Sequence, residues 1–137
     1  MFSNYSEDTE EINISYKGLT SLPDLSKFKN LKRFYCNHNQ LSHLPPLPST
    51  LQLFYCYDNQ LSHLPPLPST LQELICSNNQ LTRLPPLPST LQYFVFSNNS
   101  FSLPLKTIEQ WKFYSGFIRL KAIYQNDLAK KIQRKWR

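Results

Sequence analysis

Apolar residues recur along this chain with a period of twenty. From Leu31 the sequence reads LKRFYCNHNQLSHLPPLPST, from Leu51 LQLFYCYDNQLSHLPPLPST and from Leu71 LQELICSNNQLTRLPPLPST. A fourth copy begins at Leu91 (LQYFVFSNNSFS) and breaks down at Leu103. Self-similarity at a fixed period of this size marks a solenoid in which each copy is one rung. Within a rung the apolar positions follow L-x-x-L-x-C-x-x-N-x-L-x-x-L-P. The short segment around Phe34, Phe54, Leu74 and Phe94 predicts a strand, with the residues before and after each turned to the opposite face. Stacked rungs then form a parallel sheet with strands roughly 4.7–4.9 Å apart.

Two further repeated features serve the turn and the return. Asn39, Asn59, Asn79 and Asn99 recur where the chain leaves the strand and bends inward. A buried bend leaves peptide groups without ladder partners, and a stacked amide can both donate to them and accept from them. The LPPLPST segment predicts an extended, polyproline-like strut on the convex side, because proline fixes its own φ and keeps its predecessor out of helical geometry. Nine of the eleven prolines lie in these struts, against only two glycines in the chain.

The ends depart from the pattern. Residues 1–10 read as an acidic, disordered or loosely attached N-terminus. A degenerate first rung follows, with Ile12, Ile14, Leu19 and Leu22 on the template, Lys17 in the asparagine position and a longer return. Residues 11–104 are expected to make the solenoid, about five rungs in all. Beyond it, Thr107 to Gln110 resembles a capping box, and Ile108, Trp111, Ser115, Ile118 and Ala122 follow at helical spacing. Residues 105–137 are therefore expected to be a helical cap over the last rung and a basic tail.

The phrasing resembles the short, twenty-residue leucine-rich repeats of bacterial type III effector proteins. It resembles still more the leucine-rich-repeat proteins of giant DNA viruses of amoebae, which carry near-identical tandem copies and often a tail of the form A-x-x-IQ-x-x-x-R. Ala129, Ile132, Gln133 and Arg137 match that tail. The resemblance implies a leucine-rich-repeat solenoid with a curved parallel sheet on its concave face. Some effector relatives carry a C-terminal ubiquitin-ligase domain with a catalytic cysteine. Only 36 residues follow Phe101 here, none of them cysteine, so that activity is not carried over.

Charge separates the ends. The net charge is +6, yet Glu7, Asp8, Glu10 and Glu11 crowd the start. Nine lysines and arginines lie from Lys106 onward. Such asymmetry gives the basic end its own candidate contact, an acidic helix or an anionic surface. Leu128, Ile132 and Trp136 share one helical stripe there, and Ile132, Gln133 and Arg137 make the first half of an IQ motif. A calmodulin-like protein or an anionic membrane surface is thus a candidate tail partner. No nucleic-acid-binding fold accompanies the charge. No apolar run approaches the roughly 18 residues of a membrane span, and the N-terminus lacks the features of a signal peptide. The expected location is cytoplasmic, or the host cytoplasm if the source is viral.

Candidate chemistry is sparse. Cys36, Cys56 and Cys76 recur at an inward position that Phe96 also fills, so they read as small hydrophobes and not as metal ligands or disulfides. His43, His63 and Arg83 form a column that lacks a third metal ligand. The three PPLP segments match a minimal WW-domain ligand but are also what the strut needs. No catalytic constellation and no cofactor site is evident, so a non-enzymatic module is expected. The outward strand positions carry more information. Tyr35, Tyr55, Ile75 and Val95 form one column, Leu53 and Tyr93 belong to a second, and Tyr57 to a third. These seven are the candidate site for an unidentified protein partner, with self-association through an open end or face the other expectation.

Overall fold

The computed structural model describes residues 1–101, which form a single five-stranded parallel sheet. The strands are β1 (Glu11–Asn13), β2 (Arg33–Tyr35), β3 (Leu53–Tyr55), β4 (Glu73–Ile75) and β5 (Tyr93–Val95). They pair in sequence order, with Ile12, Phe34, Phe54, Leu74 and Phe94 in one register row. Each strand buries its central residue and turns its two flanking residues to the other face, as alternation requires. The predicted cap and tail of residues 105–137 lie outside the described residues.

The core is a set of columns running along the stack. Leu31, Leu51, Leu71 and Leu91 enter each rung, Phe34, Phe54, Leu74 and Phe94 hold the strand, and Leu41, Leu61 and Leu81 lead the return. Cys36, Cys56 and Cys76 are each fully buried at 0% exposure, with Phe96 continuing their column. Phe34 and Phe54 stack face to face, 5.7 Å between ring centroids. The strands are three residues long, yet inter-rung bonding runs past them: the Cys36, His38 and Asn39 amides donate to Tyr55, Tyr57 and Asp58 carbonyls.

The asparagine column does what its position requires. The Asn59 amide nitrogen donates to the Cys36 and Cys56 carbonyls at 3.0 and 3.1 Å, while its oxygen accepts the Leu41 amide at 3.0 Å. Asn79 makes the same bonds one rung on, to Cys56, Cys76 and Leu61. Asn39 serves the degenerate rung, where Lys17 and Leu19 amides donate to its oxygen. Each asparagine therefore ties its own rung to the preceding one. The residue before it takes a left-handed conformation, with φ 53° at His38, Asp58, Asn78 and Asn98. Aspartate, asparagine and histidine are the side chains that bear this geometry best. The return legs carry neither helix nor strand. A threonine column pins them: Thr50, Thr70 and Thr90 hydroxyls donate to the Leu31, Leu51 and Leu71 carbonyls, each at 2.7 Å.

Residues 1–10 cover the first rung. Phe2 is buried, edge-on to Phe28 at 5.3 Å. The Tyr5 hydroxyl donates to the Asn13 carbonyl at 2.9 Å and accepts from the Asn13 amide at 3.3 Å. It thereby occupies backbone groups on the free edge of β1, which would otherwise invite another strand. The acidic side chains are matched rather than repelled, Glu10 by Lys32 at 2.8 Å and Glu11 by Arg33 at 2.5 Å. The Lys32 ammonium holds the Glu10 carboxyl below its ordinary range. Two aromatic residues, not the run of acidic ones, decide where the segment lies.

Candidate functional site

The face of the sheet turned away from the core is where the rungs differ. Tyr35, Tyr55, Ile75 and Val95 stand side by side on it in register, each half-buried. The row before them holds Arg33, Leu53, Glu73 and Tyr93. Tyr57 lies beyond Tyr55, also half-buried. The side chains are fixed by their neighbours: Tyr35 and Tyr55 meet edge to face at 5.3 Å, and Tyr57 lies 6.5 Å from Tyr55. The structure thus brings Tyr35, Tyr55 and Tyr57 together as expected from the spacing. Leu53, Ile75 and Val95 extend the same surface. Among the described residues no ring contact joins Tyr93 to the tyrosine group.

Three features of this face go beyond the expected columns. The first is a continuation of the aromatic strip. His38 lies edge-on to Tyr57 at 5.1 Å and stacks on Tyr16 at 4.1 Å. Tyr16 is 72% exposed, which leaves its ring open at the end of the strip. The second is a polar ladder along the strand exits. His38 faces Asp58 at 3.1 Å, Asn78 donates to Asp58 at 2.6 Å, and Asn98 donates to Asn78 at 2.8 Å. Its signal is present in the twenty-residue column His38, Asp58, Asn78, Asn98. The third is Glu73, whose carboxylate accepts the Tyr55 hydroxyl at 2.8 Å.

Burial, reinforced by that carboxylate, pushes the Tyr55 phenol well above the ordinary tyrosine value. Burial also raises Tyr35 and Tyr57. All three therefore stay neutral hydroxyls that can donate. Tyr35, Tyr55 and Tyr57, with Asn13, Tyr16 and Asn37, border an open depression of about 640 Å³. The inward cysteines offer nothing to it: burial drives their thiols up, away from the thiolate that metals and electrophiles need. His43 and His63 are exposed and each pairs with its neighbouring serine, at 3.1 Å. Among the described residues no group of three or more histidine, cysteine or acidic side chains could hold a metal. Nor does any helix among them have the length and apolarity to cross a membrane. The tail candidates Leu128, Ile132, Gln133, Trp136 and Arg137 lie outside the described residues.

A stack of parallel rungs tied by an asparagine ladder defines a leucine-rich-repeat solenoid. A family model, Leucine Rich Repeat, matches residues 70–91. Among solved structures the chain is similar to a Shigella effector leucine-rich-repeat domain, at 37% identity and a TM-score of 0.63, covering 70% of this chain and 44% of that one. YopM from Yersinia enterocolitica is similar at 38% identity and a TM-score of 0.65, over 69% of this chain and 21% of that one. YopM from Yersinia pestis, a leucine-rich effector protein, is similar at 36% identity and a TM-score of 0.63, over 66% and 26%. The chain spans less than half the length of each. Curated proteins yield no match. The named structures bear out the resemblance to bacterial effector repeats, and none of the three is viral.

Proposed function

We propose that this chain is a non-enzymatic protein-interaction module that holds a partner protein on the concave face of its solenoid. The observation that carries this reading is the half-buried surface of Tyr35, Tyr55 and Tyr57 with Leu53, Ile75, Tyr93 and Val95. The inward columns account for the fold without these side chains. Residues of this type, contiguous and facing solvent, mark interaction sites, and tyrosine supplies rigid contact area at low entropic cost. The effector designation of the similar proteins supports a role in contacting another protein. The near-identical tandem copies and the Ala129-to-Arg137 tail keep a giant-virus origin, acting in the host cytoplasm, as the proposed source.

The competing reading places function in the tail, with Leu128, Ile132, Gln133, Trp136 and Arg137 directing the chain to a calmodulin-like protein or an anionic membrane. The two make opposite rankings. On the concave-face reading, Tyr55→Ala leaves the fold intact and weakens the captured partner by about 2 kcal/mol or more, as loss of a hot-spot residue does. Charge reversal at Lys130, Lys131 and Arg134 then has only a small, salt-sensitive effect. A neutral Tyr55→Ala beside decisive tail reversals would hand the function to the tail.

A further inference from the structure

The acidic groups of the described residues are not equally provided for. Glu10 and Glu11 have Lys32 and Arg33, and Asp58 has His38. Asp24 accepts from Ser26 and Asp8 from Asn30, and both stand, with Glu7, at exposed positions. Glu73 is different. It is half-buried in the middle of the sheet's outer face, with Leu53 and Tyr93 as its register neighbours. Among the described residues no cation pairs with it, and its hydrogen-bond donor is the neutral Tyr55 hydroxyl. A carboxylate in this state is tolerable while water reaches it. A partner that covers the face strips that water, and the cost is large unless the partner brings a compensating charge. The surroundings suit one kind of cation. Beside the carboxylate stands the Tyr55 ring that donates to it, flanked in turn by the Tyr35 and Tyr57 rings at 5.3 and 6.5 Å, and aromatic faces attract a guanidinium or ammonium. A planar guanidinium can stack on a ring while its edge meets the carboxylate, which a compact ammonium does less well.

We propose that Glu73 with Tyr35, Tyr55 and Tyr57 forms a receptor for a basic side chain, arginine above lysine, carried by the partner protein. This rests on the concave-face reading and adds to it the chemistry of the partner's anchoring residue. An apolar or acidic partner would leave Glu73 buried and uncompensated, so the same carboxylate also excludes wrong partners.

The test is selection of a random peptide library, displayed on phage, against the whole chain. Peptides recovered should be rich in arginine, and their binding should vanish with Tyr55→Ala. Glu73→Gln keeps an acceptor for the Tyr55 hydroxyl while removing the charge. It should weaken these peptides on the order of tenfold or more, with the melting curve unchanged. Replacing the peptide's arginine by citrulline, which leaves the chain untouched, should cost as much, and added salt should weaken only the unmodified pair. Peptides that depend on Tyr55 but carry no basic residue and ignore Glu73→Gln would overturn this inference while leaving the concave face as the site. Recovery of no Tyr55-dependent peptide would overturn both. Self-association of the chain abolished by Glu73→Gln would give the receptor to a second copy and overturn the assignment to a partner protein.

Discussion

The two faces of one strand, β3, differ in how far they repeat. Inward, Phe54 stands between Phe34 and Leu74, Cys56 between Cys36 and Cys76, and Asn59 between Asn39 and Asn79, with nearly the same contacts at each step. Outward, Leu53 stands between Arg33 and Glu73, and Tyr55 between Tyr35 and Ile75. An inward side chain must fit a slot shaped by near-identical rungs on either side, and a packed interior tolerates little change in volume. An outward side chain meets solvent, so nothing in the fold holds it to one identity. The monotony of one face and the variety of the other separate scaffold from candidate site within three residues.

The strongest test of that division is the asparagine column. Asn59→Ala strands the buried Leu41 amide and takes one of two asparagine donors from the Cys36 and Cys56 carbonyls, which keep Asn39 and Asn79. A stranded buried amide costs roughly 1–3 kcal/mol and the two weakened carbonyls add to it, so a loss of about 3 kcal/mol is expected in denaturant unfolding. An unchanged midpoint would mean that water reaches the bend and that the inner face is less sealed than its burial indicates.

The next test asks whether the N-terminal cover belongs to the inner face. Phe2→Ala should cost about 2–3 kcal/mol, below the roughly 3–5 of a phenylalanine deep in a core, because a terminal segment can shift to refill the space. Rapid proteolysis within residues 1–9 of the variant should accompany the loss. Equal resistance in both proteins would make the segment an ornament.

On the outer face the expected effect is on titration. The folded Tyr55 phenol has its pKa raised, by burial first and then by the Glu73 carboxylate. Its contribution to stability is therefore complete below the unfolded value of about 10 and is lost as pH rises through the folded value. Phenolate absorbance should develop at higher pH in the native chain than in urea, and Glu73→Gln should narrow the gap. Coincident titrations would show that the tyrosine strip is fully hydrated.

The smallest effect is an expected silence. Cys36, Cys56 and Cys76 are fully buried and their thiols are pushed up by burial, so iodoacetamide should leave the native chain unmodified at neutral pH and label all three cysteines once it is unfolded. Labelling of the native chain at Cys56 would reveal opening between rungs.

Periodicity alone suffices for the repeat, the strand at Phe34, Phe54, Leu74 and Phe94, the inward cysteines and asparagines, and the meeting of Tyr35, Tyr55 and Tyr57. A fixed period places equivalent residues one rung apart, so each of these columns follows from the order of residues. Folding in three dimensions was needed wherever the period is silent or broken. The packing of Phe2 on Phe28 depends on a segment with no counterpart in other rungs. Tyr16 and His38 stack across the degenerate first rung, whose longer return breaks the twenty-residue spacing. The Tyr55–Glu73 bond runs diagonally between two columns that share no repeat position. The period supplies the rows, because it sets how far along the chain an equivalent position recurs. Rotamers and the neighbours that choose them set the diagonals, and those are settled only when the rungs are stacked.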